Sequence, residues 1–297
     1  MQHFLDIKQL SSSNVYSLIE RAIRFKNQEK YPQYPQHSAA TLFYENSTRT
    51  RVSFEVAAKK LAMPIYNLEI SQSSATKGET LEDTLANLGA MGINCFVIRH
   101  SDDRLLECLA SVVDKHLHII NAGDGQRAHP SQALLDLMTI YEIKPALQTL
   151  KVAIVGDVRH SRVANSLQRL LALVGIKELV FVAPEEWQPR TLHFGRWTNA
   201  LREGIENADV VIGLRVQRER LENDAQLDFG SYQAQYGIRQ ETLKWARPNV
   251  MIMHPGPVNR GMEMDDAVIR DPRSVILQQV TNGVFMRMAI FESVLLS

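Results

Sequence analysis

Residues 47–51, Ser-Thr-Arg-Thr-Arg, alternate hydroxyl and guanidinium groups directly behind an apolar, β-prone run at residues 39–44 (AATLFY). After them Phe54, Ala57, Ala58 and Leu61 recur at the spacing of one helix face. Ser47, Thr48, Arg49 and Thr50 therefore stand where a strand gives way to a helix. A helix start leaves backbone N–H groups without intrahelical partners and carries the positive end of the helix dipole, so it attracts anions. Hydroxyls and a forked guanidinium complete a phosphate cradle there. An isolated triplet of this kind is more often an N-cap with solvated arginines. Two arginines in a hydroxyl-rich turn behind a buried strand favour phosphate.

Other polar residues repeat the placement. Arg99 follows an apolar run at residues 95–98 (CFVI). Alone it reads as a solvated strand-end arginine; in the same domain as the cradle it becomes a second phosphate ligand that also reaches a carbonyl oxygen. His129 and Gln132 lie three residues apart at a helix start, where Pro130 suits the first turn, and project to one side. His129 can donate to a carbonyl oxygen that gains charge under attack, and Gln132 can accept from an amide NH2. A capping histidine is the competing reading. Lys77, within SQSSATKGET, reads from composition as a solvated loop lysine. In the second half, RVQRER places Arg215, Gln217 and Arg220 beyond a strand. That set suits a dicarboxylate amine, since each carboxylate takes a forked partner, although by itself it reads more readily as a solvated charged loop. Gly156 stands alone where a dinucleotide site needs GxGxxG, which disfavours an NAD-dependent dehydrogenase.

The elements that must position these groups alternate along the chain. Strands are expected at residues 39–44, 65–68, 95–98, 118–121, 152–155, 179–183, 210–214 and 250–253. Helical patterns begin near Ser11, behind the cradle, near Thr80, at His129, over residues 162–173 and over residues 283–296. Such alternation predicts an α/β protein of two domains, each a parallel sheet flanked by helices. The boundaries expected are 1–132 for phosphate binding, 133–282 for the second substrate, and a C-terminal helix at 283–297 returning to the first domain. Open parallel sheets bind ligands beyond their carboxyl edges, so an interdomain cleft is the expected active site.

Length and composition agree. A chain of 297 residues suits two domains of ordinary size. Lys plus Arg (33) balance Asp plus Glu (33), so no global field points to nucleic acid or a membrane surface. Cys95 and Cys108 are expected as two buried thiols in a reducing compartment. No apolar leader opens the sequence and no run is long enough to span a bilayer, so a cytoplasmic protein is expected, and a periplasmic phosphate-binding module is disfavoured.

STRTR followed by SFE, the SATKGET loop, HPSQALLD, Arg162 after VGDVRHS, RVQ, and HPGP at residues 254–257 occur in order over nearly the whole chain. In these the chain resembles the aspartate and ornithine carbamoyltransferases. Leu61-Ala62 stands where the family pattern has Leu-Gly, His160 fills a variable position, and Tyr44 and Asn46 vary the turn before Ser47. The resemblance implies carbamoyl transfer from carbamoyl phosphate to an amino acid, as in pyrimidine synthesis. RVQ and HPGP replace the SMG-type motif and HCLP turn of the ornithine branch, so an aspartate acceptor is implied over ornithine.

The family roles carry over by position. Ser47, Thr48, Arg49, Thr50 and Arg99 would hold the phosphate, while Thr50, Arg99 and His129 polarise the carbonyl. Gln132 and the Gly256-Pro257 backbone would orient the carbamoyl NH2. Arg162, Arg215 and Gln217, with Lys77, would hold aspartate. The resemblance also implies a homotrimer in which Ser73 and Lys77 enter a neighbouring subunit's site. It implies no metal or organic cofactor, and leaves room for regulatory or dihydroorotase-like chains.

Overall fold

A strand that returns to its sheet through a helix enters in its original direction, so alternation along the chain enforces parallel pairing. The computed structural model describes residues 1–68, 79–216 and 229–296. The chain divides into two compact units, Met1–Met138 with Thr281–Ser297, and Thr139–Val280.

The first unit carries α1 (Ser12–Lys26), β1 (Ala39–Phe43), α2 (Thr48–Lys60), β2 (Ile65–Leu68), α3 (Leu81–Ala90), β3 (Cys95–His100), α4 (Leu105–Val112), β4 (His118–Asp124) and most of α5 (Pro130–Ile143). Its sheet order is β2-β1-β3-β4, all parallel, with Phe43 opposite Arg99 at the end of the β1–β3 register. Ala40, Leu42, Phe96, Ile98 and Ile119 from the strands form a core with Leu85, Leu106 and Leu109 from the helices. In α1 the buried face is Val15, Leu18, Ile19, Ala22 and Phe25.

The second unit carries β5 (Lys151–Val155), α6 (Arg162–Leu173), β6 (Glu178–Val182), β7 (Arg196–Thr198), α7 (Leu201–Ile205), β8 (Val210–Gly213), α8 (Phe229–Tyr236), α9 (Gln240–Leu243), β9 (Met251–Met253) and α10 (Asp266–Ile269). Its order is β7-β6-β5-β8-β9, again all parallel, with Val155 opposite Gly213. From Thr281 onward α11 (Ile276–Leu295) belongs to the first unit. There Phe291 meets Phe54 edge to face at 5.6 Å, and Glu292 pairs with Arg21 and accepts from the Tyr34 hydroxyl at 2.6 Å. Among the described residues no helix is long and apolar enough to cross a membrane, and no group of three His, Cys, Asp or Glu could hold a metal ion.

Two local expectations are corrected. Cys95 is buried on β3, but Cys108 is exposed, because Leu106 and Leu109 are the residues α4 turns inward. Arg99 lies inside β3 rather than beyond it, since that strand runs on to His100.

The Leu61-Ala62 departure also has a structural answer. Ala62 adopts φ 54°, the left-handed conformation that glycine usually supplies at a helix end. Its N–H donates to the Lys59 carbonyl at 3.1 Å and that of Met63 to the Ala58 carbonyl at 3.0 Å, closing α2 in a Schellman motif. The motif thus forms at the cost of a Cβ in a disfavoured region, about 1–2 kcal/mol. Ala62→Gly is therefore expected to stabilise the fold by about 0.5–1 kcal/mol after the added chain entropy, raising the denaturant midpoint. An unchanged or lowered midpoint would show that the Cβ is tolerated without strain.

Candidate active site

In the first unit the strand order reverses between β1 and β3, and the polar residues collect there. Ser47 is the N-cap residue of α2, yet its side chain makes no capping hydrogen bond. The first helical bond runs from the Arg51 N–H to the Ser47 carbonyl, at 3.1 Å. The Thr48, Arg49 and Thr50 N–H groups precede it, in the turn that a helix leaves without internal partners. Thr48 and Arg49 are exposed while Thr50 is buried, and Arg51 turns along the helix toward Glu55 at 3.7 Å. The capping reading of this turn therefore fails at its central residue.

Arg99 lies across the register from Phe43, and its carbonyl accepts from the Tyr44 N–H at 2.9 Å. The next side chain along, Glu45, approaches Arg99 Nε at 3.2 Å. A half-buried arginine at a sheet edge is thus held by a carboxylate of the same turn. The neighbouring His100 stacks edge to face on Tyr44 at 4.7 Å, and burial lowers its pKa.

His129 and Gln132 enter from the adjacent strand. His129 precedes α5, and its carbonyl accepts from the N–H groups of Gln132 and Ala133, both at 3.1 Å. Both side chains are buried. The turn that delivers them is braced by Asp124, which accepts from the Ala128 N–H at 2.9 Å and from Arg127 Nε at 2.9 Å. Arg127 also reaches Asp6 and Glu107. Burial raises the Asp124 pKa, and the Arg127 charge opposes that rise. One turn along α5, Gln132 Nε2 donates to Asp136 Oδ1 at 2.9 Å.

The second unit repeats the arrangement where its order reverses, between β5 and β8. Gly156 ends β5 with φ 132°, and a Cβ there would lie 2.6 Å from the Leu214 carbonyl oxygen. The glycine permits close approach of the two strand ends. After it Asp157 Oδ1 accepts from the His160 N–H at 3.2 Å and lies 2.9 Å from His160 Nδ1. Ser161 caps α6 by accepting from the Ala164 N–H, so Arg162 begins the helix, buried. Arg215 follows β8, whose end is tied to β5 by the Leu214 N–H donating to Val155 at 2.7 Å.

Gly256-Pro257 follows β9, the next strand out, with a cis peptide bond. His254 Nδ1 accepts from the Gly256 N–H at 2.8 Å, and its Nε2 lies 3.4 Å from Glu263 Oε1, both side chains buried. The Asn259 N–H donates to Glu263 Oε1 at 2.6 Å, and its side-chain NH2 donates to the Val216 carbonyl at 3.0 Å. The turn is thereby fastened to the strand end that carries Arg215.

The structure thus brings Ser47, Thr48, Arg49, Thr50, Arg99, His129 and Gln132 to one carboxyl edge of the first unit, and Arg162, Arg215, Gly256 and Pro257 to one carboxyl edge of the second. Ser73, Lys77 and Gln217 lie outside the described residues. Sequence reasoning passed over Glu45, Asp136 and Glu263. Glu45 carried a signal, as an acid between the strand and the cradle; the other two are recognisable only through partners.

Comparison with known proteins accords with this geometry. Residues 2–142 match the carbamoyl-P binding domain of the aspartate/ornithine carbamoyltransferases, and residues 148–294 match their Asp/Orn binding domain. The aspartate carbamoyltransferase catalytic subunit of Legionella pneumophila (strain Corby) is 55% identical over 99% of this chain and 99% of its own length. The crystal structure of aspartate transcarbamoylase from Trypanosoma cruzi with carbamoyl phosphate and aspartate is 31% identical, with a TM-score of 0.90 over 99% of this chain and 97% of that one. Ornithine carbamoyltransferase from Pyrococcus furiosus is 27% identical, with a TM-score of 0.86 over 99% and 97%. With both domains matched in order and relatives similar from end to end, the chain belongs to the aspartate/ornithine carbamoyltransferase family.

Proposed function

We infer that this protein transfers the carbamoyl group of carbamoyl phosphate to the amino group of L-aspartate, releasing N-carbamoyl-L-aspartate and phosphate. The observation that carries the reading is the division of chemistry between the two sheets. A helix start with hydroxyls, Arg49 and Arg99 marks the reversal point of the first, and two arginines mark that of the second. An acyl phosphate fits the first set and a dicarboxylate amine the second. An ornithine acceptor would bring a cationic side chain toward Arg162 and Arg215, which like-charge repulsion disfavours.

In this reading the N–H groups and hydroxyls of Ser47, Thr48 and Thr50, with Arg49 and Arg99, hold the phosphate. Thr50, Arg99 and His129 donate to the carbonyl oxygen, whose negative charge grows as the amine attacks. Gln132 and the Gly256-Pro257 backbone orient the carbamoyl NH2. Arg162, Arg215 and Gln217, with Lys77, hold both carboxylates of aspartate so that its amine faces the carbonyl carbon. The C–N bond forms, the tetrahedral centre collapses as the C–O bond to phosphate breaks, and the proton lost by the amine leaves with the phosphate. Since the acyl group arrives already activated, positioning is the main device, worth up to about 7–11 kcal/mol. Each well-placed donor to the oxyanion adds roughly 3 kcal/mol. Assay of carbamoyl phosphate with a panel of amino acids tests the reading. Product is expected with aspartate and not with ornithine; turnover of ornithine in preference to aspartate would overturn it.

The reading extends to a cytoplasmic homotrimer in which Ser73 and Lys77 serve the neighbouring subunit's site. A Lys77→Ala chain then keeps a sound cleft but lends a faulty loop, and an Arg49→Ala chain does the reverse. Each variant alone is expected to be nearly inactive. In randomly mixed cyclic trimers about one site in four combines a sound cleft with a sound loop, so about a quarter of wild-type activity should return. Hybrid trimers that stay inactive would show that Lys77 serves its own chain.

A further inference from the structure

Gln132 is useful to a carbamoyl ligand only in one orientation of its amide. The carbamoyl NH2 offers donors, so the glutamine must present its oxygen; rotated by half a turn it would present a second NH2 and repel. Nothing within the side chain distinguishes the two. The distinction comes from Asp136, one turn further along α5 and completely buried, which receives Gln132 Nε2 at 2.9 Å. An ionised carboxylate accepts and never donates, so it holds the NH2 and turns the oxygen away from itself.

A buried carboxylate keeps its charge only beside a compensating one. Arg287, buried on α11 in the same unit, carries a charge of opposite sign that attracts Asp136. Its guanidinium lies over the Phe54 ring at 4.9 Å from the centroid and donates from Nη1 to the Gly283 carbonyl at 3.1 Å. Among the described residues its Nε has no hydrogen-bond partner. Burial brings the Arg287 pKa down to about 10, with the Asp136 charge opposing the fall, so the group stays cationic at neutral pH. Space for it is reserved by Gly283, where a Cβ would stand 2.6 Å from Arg287 Nη1. Phe54, in turn, sits on the helix that begins with the phosphate cradle.

We propose that Asp136 is a positioning residue that sets selectivity for a carbamoyl over an acetyl group by holding the NH2 of Gln132, so that the amide oxygen faces the ligand. The proposal rests on the carbamoyl phosphate reading above. Acetyl phosphate is the discriminating probe, since it carries a methyl group in place of the NH2 and the same phosphate.

The test measures dissociation constants of carbamoyl phosphate, acetyl phosphate and inorganic phosphate for the wild type, Asp136→Asn, Gln132→Met and the double variant. The wild type is expected to prefer carbamoyl phosphate. Asp136→Asn, whose amide donates as readily as it accepts, should lower that preference roughly tenfold to a hundredfold, with inorganic phosphate unaffected. Gln132→Met should lose as much, and adding Asp136→Asn to it should change the preference no further, because one residue acts through the other. A preference retained in folded Asp136→Asn, or losses that add in the double variant, would overturn the proposal. A wild type that binds inorganic phosphate but does not distinguish the two acyl phosphates would overturn the role given to Gln132 itself.

Discussion

A parallel sheet whose strand order reverses leaves a crevice at its carboxyl edge, because the connections on either side run to opposite faces. In the first unit the reversal lies beside the first turn of α2, where the proposed anion site falls. The backbone N–H groups of that turn are fixed by the helix, so an anion meets donors that need no reorganisation. The adjacent strand adds Arg99 on the other side, held by Glu45 at 3.2 Å. Side chains on loops alone would have to be ordered at each binding event; here the fold orders them beforehand. The second unit uses the same constraint with different residues, placing Arg162 at a helix start and Arg215 at a strand end.

Holding these groups requires charge in places that ordinarily exclude it. Asp124, Asp136 and Glu263 are all buried, and each is matched by a basic or donating neighbour: Arg127, Gln132, and His254 with the Asn259 N–H. Replacing such pairs by apolar residues is often neutral for stability, whereas removing one partner is costly. Their presence therefore speaks for geometry rather than for stability. Each one backs a turn or helix start that carries a candidate ligand-binding residue.

Much of this was legible in the sequence. Short apolar runs located the principal strands, and the hydroxyl-arginine turn marked the start of α2. The elements passed over were short or weakly patterned: α4, the three-residue β7, and α7 to α10. Cys108 shows how an apolar-looking residue on an amphipathic helix turns outward when its neighbours fill the core. Gly156 shows a glycine explained by a close approach to Leu214 that no local pattern announces. Asp136 and Arg287 illustrate the larger limit. Neither stands out locally, and they come into one unit only because a C-terminal helix returns to the unit that contains α5.

The central claim is that an anion is held jointly by the start of α2 and by Arg99. Removing Arg99 alone would also expose Glu45, whose charge would repel the anion and inflate the loss. Calorimetric titration of inorganic phosphate into the Glu45→Gln variant, compared with Glu45→Gln combined with Arg99→Met, isolates the contribution of the guanidinium. The account predicts a dissociation constant roughly tenfold to a hundredfold higher in the double variant, the scale of a charge-assisted hydrogen bond. Equal dissociation constants in the two variants would contradict it, and would place the anion away from the reversal point of the sheet.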